Sequence, residues 1–292
     1  MSLLLPLYND FVFKALLVKN PDILLDILNS FPTFQGMQRI KEITILNPEL
    51  PKSTDLEKGS ILDIRSTDES GRSFLIEMQG TPKPFLSERL VLYWAKVFAG
   101  SIIKGDEYSI LPKVFSISFL NFKLIQYSKE FQTTFRILDV KTGKIALTDV
   151  LEMHTIELPK IGKKISSLHS DLEKWVYLFR EAQNLKEESL KELISKNPMM
   201  EKASTELEYL SQDPKTRQAY EDRLKAEWDY NTGMKSAYRE GKVEGIAEGE
   251  LKGKLDNAIE TAKKMKDKGF SVLEILDITE LTEDKLKEHG IL

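Results

Sequence analysis

The chain has 292 residues, 41% of them apolar and 30% charged, which fits one large domain or a core with an appendage. It contains no cysteine, which excludes disulfides, cysteine zinc sites, iron–sulfur clusters and thiol nucleophiles and fits a reducing compartment. The formal net charge of −4 gives no bulk attraction to nucleic acid, so any phosphate-binding surface has to be local.

The N-terminal "MSLLLPLYNDF" lacks a basic segment and is cut off by Pro6 and Asp10, so it does not read as a signal peptide. No stretch reaches the roughly 18 apolar residues of a membrane span. The expectation is a cytoplasmic protein without membrane contact. Asn9 or Asp10 can cap a helix carrying Phe13, Leu16 and Leu17, and Asn20-Pro21 opens a second helix with Leu24, Ile27 and Leu28. "EITILN" (42–47) reads as a strand, and "PELPKSTDLEKGS" after it as a loop.

Two strands follow, about 60–67 and 72–79, joined around "DESG". Residues 86–105 read as a helix with Ser87 as cap and Gly105 as stop. In "KVFSISFLNF" (113–122), Phe115, Ile117 and Phe119 alternate with Ser116 and Ser118, the mark of a strand. Further strands are expected near 133–140 and 152–158, around "KTGK". The order is helices, a three-strand meander, a crossover helix and further strands, an α/β core over residues 1–165.

From 166 to 292 the pattern is mainly helical, with segments near 168–183, 186–196, 200–211 and 214–250 and two short helices at the end. Within it, 239–254 carries Gly241, Gly245, Gly249 and Gly253 at a period of four. Each glycine costs a helix about 1 kcal/mol against alanine. That segment is either a solvated helix or a close-packed helix pair in a homo-oligomer.

The hairpin carries the chemistry. With a two-residue turn, Asp63 would face Ile76 and both faces would mix charged and apolar residues. A three-residue loop, Glu69-Ser70-Gly71, sets Asp63 opposite Glu77, and Leu62 and Ile64 opposite Met78 and Ile76. Two carboxylates whose Cβ atoms are ~5 Å apart repel by roughly 3 kcal/mol at an effective dielectric of ~20. A proton or a hard divalent cation, Mg²⁺ or Mn²⁺, relieves this. Gln79 points to the same side. Arg89, Tyr93 and Lys96 share one helix face, two cations for phosphates and a ring for hydrogen bonding or stacking.

The spacing Asp63–x13–Glu77–x–Gln79 resembles the PD-(D/E)XK nuclease superfamily. More narrowly, "NDFVFKALL", "LDIRSTDESGRSFLIEMQ" and "ERLVLYWAKVFAGSIIKGDEYSILPKVFSISFL" are similar to the recombination-promoting nuclease (Rpn) family, whose members are also described as transposases. The resemblance implies a PD-(D/E)XK nuclease-like α/β core and a Mg²⁺-dependent DNA endonuclease (with Mn²⁺ as substitute), linked to recombination or mobile elements. It implies Asp63, Glu77 and the Met78 carbonyl as metal ligands, with Gln79 at the lysine position. Glutamine is neither cation nor base, so Lys14 or Lys96 is a candidate for the missing charge. Asp10, Arg72, Arg89, Tyr93 and Lys96 are candidates for the DNA surface, and Asp10 is equally a helix cap. Other readings are a non-catalytic DNA-binding or assembly module on a nuclease fold, or an RNA nuclease. His154, His169 and His289 have no zinc spacing, and no P-loop is present.

Overall fold

The computed structural model describes residues 4–50, 60–162, 164–195 and 197–292. The chain divides into two compact units, Met1–Tyr220 and Glu221–Leu292.

Helix α1 (Asp10–Lys19) begins where the Asn9 side chain accepts hydrogen bonds from the Phe11 and Val12 amides. Helix α2 (Pro21–Asn29) has Pro21 in its first turn, where its missing N–H leaves nothing unsatisfied. Strands β1 (Ile43–Leu46), β2 (Glu49–Leu50), β3 (Ser60–Ile61), β4 (Ile64–Asp68) and β5 (Ser73–Gln79) follow. Helix α3 (Leu86–Ala99) then leads to β6 (Val114–Leu120), β7 (Gln132–Phe135) and β8 (Leu151–Glu157). Six strands form one sheet in the order β1-β4-β5-β6-β8-β7, and β2 pairs with β3 separately. The meander β1-β4-β5 is antiparallel, β5, β6 and β8 are parallel, and β7 returns antiparallel on β8. This is the expected core order. Most of the expected loop, residues 51–59, lies outside the described residues.

Both faces of the central strands are covered, so every residue of β5 and β6 is buried, Ser116 and Ser118 included. Phe74, Ile76, Met78, Phe115, Ile117 and Phe119 pack against α1, α2 and three later helices, α4 (Asp171–Glu181), α5 (Glu187–Ile194) and α6 (Pro198–Gln212). Phe119 has Phe13 at 5.6 Å and Phe179 at 5.2 Å between ring centroids, and such tilted and edge-on pairs add to area burial. Asp26 of α2 accepts from Trp175 Nε1 at 2.9 Å and Asn197 Nδ2 at 3.0 Å, tying α2 to α4 and to the cap of α6. The compositional change near residue 165 is therefore a change in element type, with the core of the first unit continuing through α6.

On the other face, α3 lays Leu86, Leu90, Trp94 and Val97 over Leu75, Val114 and Leu120. Trp94 Nε1 donates to the Val114 carbonyl at 3.2 Å and fixes the helix on β6. Helix α3 stops earlier than expected, with Gly100 as its C-cap, and Gly105 sits in a later turn. Ser87 lies inside its first turn; the cap position is Phe85, in the left-handed region at φ 57°.

In the second unit, α7 (Pro214–Asp267), which starts in the first, runs unbroken for 54 residues through the glycine row. Its end packs Ile259, Ala262 and Met265 against Ile275 of α8 (Val272–Thr279) and Leu286 of α9 (Glu283–Glu288). Among the described residues no helix is long and apolar enough to cross a membrane.

Candidate active site

The β4–β5 register is Ile64 with Ile76, Arg65 with Leu75, Ser66 with Phe74 and Thr67 with Ser73, which carries Asp63 to Glu77 as expected. The loop is three residues long. Asp68 N donates to Arg72 O at 3.1 Å, and Gly71 takes φ +79°, a conformation glycine adopts at no steric cost. Asp68 Oδ1 also accepts from the Ser70 and Arg72 amides, at 3.0 and 2.9 Å.

Strand pairing ends at the acid pair. Counting from the hydrogen-bonded pair Asp68–Arg72, the Met78 amide would next bond the Leu62 carbonyl. It donates instead to Asp63 Oδ2 at 2.7 Å, while Leu62 N donates to Pro48 O at 3.0 Å. The backbone bends at Asp63, so the expected single strand over 60–67 is split into β3 and β4. The bend also overturns the facing of Leu62, which packs with Leu75 and Val97 under α3 instead of opposite Met78.

The carboxylates are held at close range. Asp63 N donates to Glu77 Oε1 at 3.2 Å, and Gln79 Nε2 donates to Glu77 Oε2 at 3.1 Å. Glu77 is 4% exposed and Asp63 is half-buried. Burial, then the neighbouring Asp63 charge, push the Glu77 carboxyl from 4.5 up to about 8, against the opposing pull of the Asp63 amide, Arg89 and Gln79. Arg89 NH2 donates to Gln79 Oε1 at 2.9 Å, and its guanidinium carbon lies 5.9 Å from the Tyr93 ring centre. Burial raises the Tyr93 hydroxyl, and the charges of Arg89, Glu77, Asp63 and Lys96 all act on it. One face of α3 thus meets the end of β5, bringing together Asp63, Glu77, Gln79, Arg89, Tyr93 and Lys96.

Of the other expected residues, Arg72 lies elsewhere, at the opposite end of β5, roughly 17 Å of strand from Glu77 by its rise per residue, and is engaged by Asp68 and Gln38. Lys14 is half-buried on α1. Asp10 begins α1, and its Oδ1 accepts from the Phe11 amide at 2.8 Å. The start of α1 does approach β5: a Cβ on Gly80 would stand 3.3 Å from the Tyr8 carbonyl oxygen. Ser118 was not anticipated. It lies beside Glu77 in the parallel pairing, and its Oγ and that of Thr155 beyond it are buried without a described partner. The alternation in β6 was visible in the sequence, but its neighbour across the sheet was not.

The donor set is all oxygen: Asp63, Glu77 and the Met78 carbonyl, which shares its strand edge with the amide that meets Asp63. No cluster of three or more His, Cys, Asp or Glu suited to a metal occurs among the described residues. Two carboxylates, one driven toward protonation by burial and by the other's charge, fit a hard divalent ion that keeps several waters.

A family model described as PD-(D/E)XK nuclease family transposase matches residues 7–237. No curated protein and no solved structure matches. The match takes in α1, the whole sheet, α3 and the acid pair, and the chain belongs to the PD-(D/E)XK nuclease family transposases.

Proposed function

We propose that the chain is a metal-dependent DNA endonuclease that hydrolyses phosphodiester bonds in recombination or mobile-element processes. The observation that carries the reading is the meeting of Asp63 and Glu77 at the interrupted end of the β4–β5 ladder, under a helix face bearing Arg89, Tyr93 and Lys96. Asp63, Glu77 and the Met78 carbonyl would hold Mg²⁺ or Mn²⁺, which supplies a bound water acidic enough to attack phosphorus near neutral pH. Glu77 must give up its proton to serve as ligand. Gln79 takes no part in proton transfer and orients the groups on either side of it. Arg89 and Lys96, half-buried on one face of α3, would pair with backbone phosphates, and Tyr93 adds a half-buried ring between them. DNA is the proposed partner and the cytoplasm the proposed location. A homo-oligomer through the C-terminal helices would use the exposed Trp228, Tyr230, Met234 and Tyr238 of α7.

The test is cleavage of plasmid DNA and of matched RNA with Mg²⁺ or Mn²⁺, comparing wild type, wild type with EDTA, and Asp63→Asn. Metal-dependent DNA cutting abolished by the substitution is expected. Preference for RNA would reassign the substrate. Binding without cutting would favour a non-catalytic module, a reading prompted by Gln79 in the lysine position.

A further inference from the structure

Gln79 stands where the superfamily pattern has a lysine, and its amide is used at both ends. The NH₂ donates to Glu77 Oε2 at 3.1 Å and the carbonyl accepts from Arg89 NH2 at 2.9 Å. The amide cannot be reversed without setting donor against guanidinium and acceptor against carboxylate. Arg89 has capacity to spare. Of its five N–H donors, one is bound to Gln79, and its Nε is buried without an acceptor among the described residues. A buried, unpaired, charged donor beside an acid pair is costly unless a ligand completes it.

We propose that the positive charge of this site resides on α3, as Arg89, and that Gln79 is a positioning residue that aims it. The guanidinium is then a catalytic group whose remaining N–H donors take a non-bridging oxygen of the scissile phosphate as charge builds there, while Gln79 keeps it from collapsing onto Glu77. This rests on the nuclease reading and deepens it. A consequence runs against the family pattern. A lysine at position 79 has no acceptor for Arg89 and sets two cations side by side, so installing the superfamily residue disables the site instead of improving it.

The experiment compares wild type, Gln79→Lys, Arg89→Gln and the double variant. kcat and KM are measured separately on Mn²⁺-dependent DNA cleavage, Mn²⁺ affinity without DNA by electron paramagnetic resonance, and folding by circular dichroism. Arg89→Gln is expected to lower kcat by about 100-fold with a much smaller change in KM. Gln79→Lys is expected to fall similarly, and the double variant to recover about tenfold over Gln79→Lys, because the two changes are coupled. Gln79→Lys with undiminished turnover, or strictly additive losses, would overturn the inference. A wild-type chain that cuts nothing sinks the nuclease reading, and Mn²⁺ affinity then decides the wiring. Weakening by about tenfold in Gln79→Lys, reversed in the double variant, upholds it; equal affinity in all four proteins refutes it. Arg89→Lys, which keeps the charge without the planar fork, should restore part of kcat even if Arg89→Gln folds poorly.

Discussion

Replacing Glu77 by glutamine should stabilise the metal-free protein at alkaline pH and destabilise it in acid. Burial and Asp63 together raise the Glu77 carboxyl from 4.5 to about 8. Between those values the unfolded chain has released this proton and the folded chain retains it, so stability falls as pH rises through the window and levels off above about 8. The span between the two values corresponds to a ceiling of about 5 kcal/mol. Glutamine removes the charge, but Glu77 accepts from both the Asp63 amide and Gln79 Nε2, and an amide can accept at only one end. The lost hydrogen bond costs about 1–2 kcal/mol. Urea unfolding in EDTA should therefore find Glu77→Gln more stable than wild type by about 2–4 kcal/mol at pH 8.5, and less stable by about 1 kcal/mol at pH 5. The same difference at both pH values would refute a destabilised Glu77 carboxylate.

Mn²⁺ affinity of the wild type should rise about tenfold per pH unit from 6 to 8 and flatten above, since binding releases the Glu77 proton; an affinity independent of pH would remove Glu77 from the ligand set. Gly71→Ala forces a left-handed backbone on a residue with a Cβ and should lower stability by about 1 kcal/mol in urea titration. Gly245→Ala with Gly249→Ala should raise the stability of α7 by about 1 kcal/mol per site, followed by circular dichroism melting, because an alanine methyl at either position would meet nothing within 4 Å beyond the adjoining turns of its own helix. A fall in helicity instead would show that the row is packed against a partner.

The hairpin register was legible because alternation of period two and one glycine leave a single loop length that keeps Ile64 and Ile76 together. The bend at Asp63 was not, because it depends on a carboxylate outcompeting the Leu62 carbonyl for the Met78 amide, and no local pattern encodes that contest. Leu62 changed faces as a result. The faces of α1 and α3 were readable from helical spacing, so Arg89, Tyr93 and Lys96 could be grouped in advance. Which cation touches Gln79 depends on how α3 is seated on β5 and β6, through Trp94 and Val97, and the sequence alone left Lys14 and Lys96 as candidates. Likewise α4–α6 were legible as helices, but nothing local told that they would close the sheet's second face.

Asp63 has a structural duty as well as a chemical one, and two substitutions separate them. Its Oδ2 takes the Met78 amide at 2.7 Å in place of the ladder bond. Asparagine keeps a carbonyl oxygen for that amide, whereas alanine leaves it without its acceptor, and a hydrogen bond to a charged group is worth about 1.5–3 kcal/mol. Both substitutions remove the charge beside Glu77, so its relief is common to the two and cancels between them. Asp63→Asn should therefore lose cleavage and metal binding with the fold intact, and Asp63→Ala should lose both and unfold at lower urea, by about 1–2 kcal/mol. Equal stability of the two variants would mean that Leu62 recaptures the amide once the carboxylate is gone. The strand would then be continuous by default and Asp63 would bend it only at the cost of its own ladder bond, a strain tolerated for the site it creates.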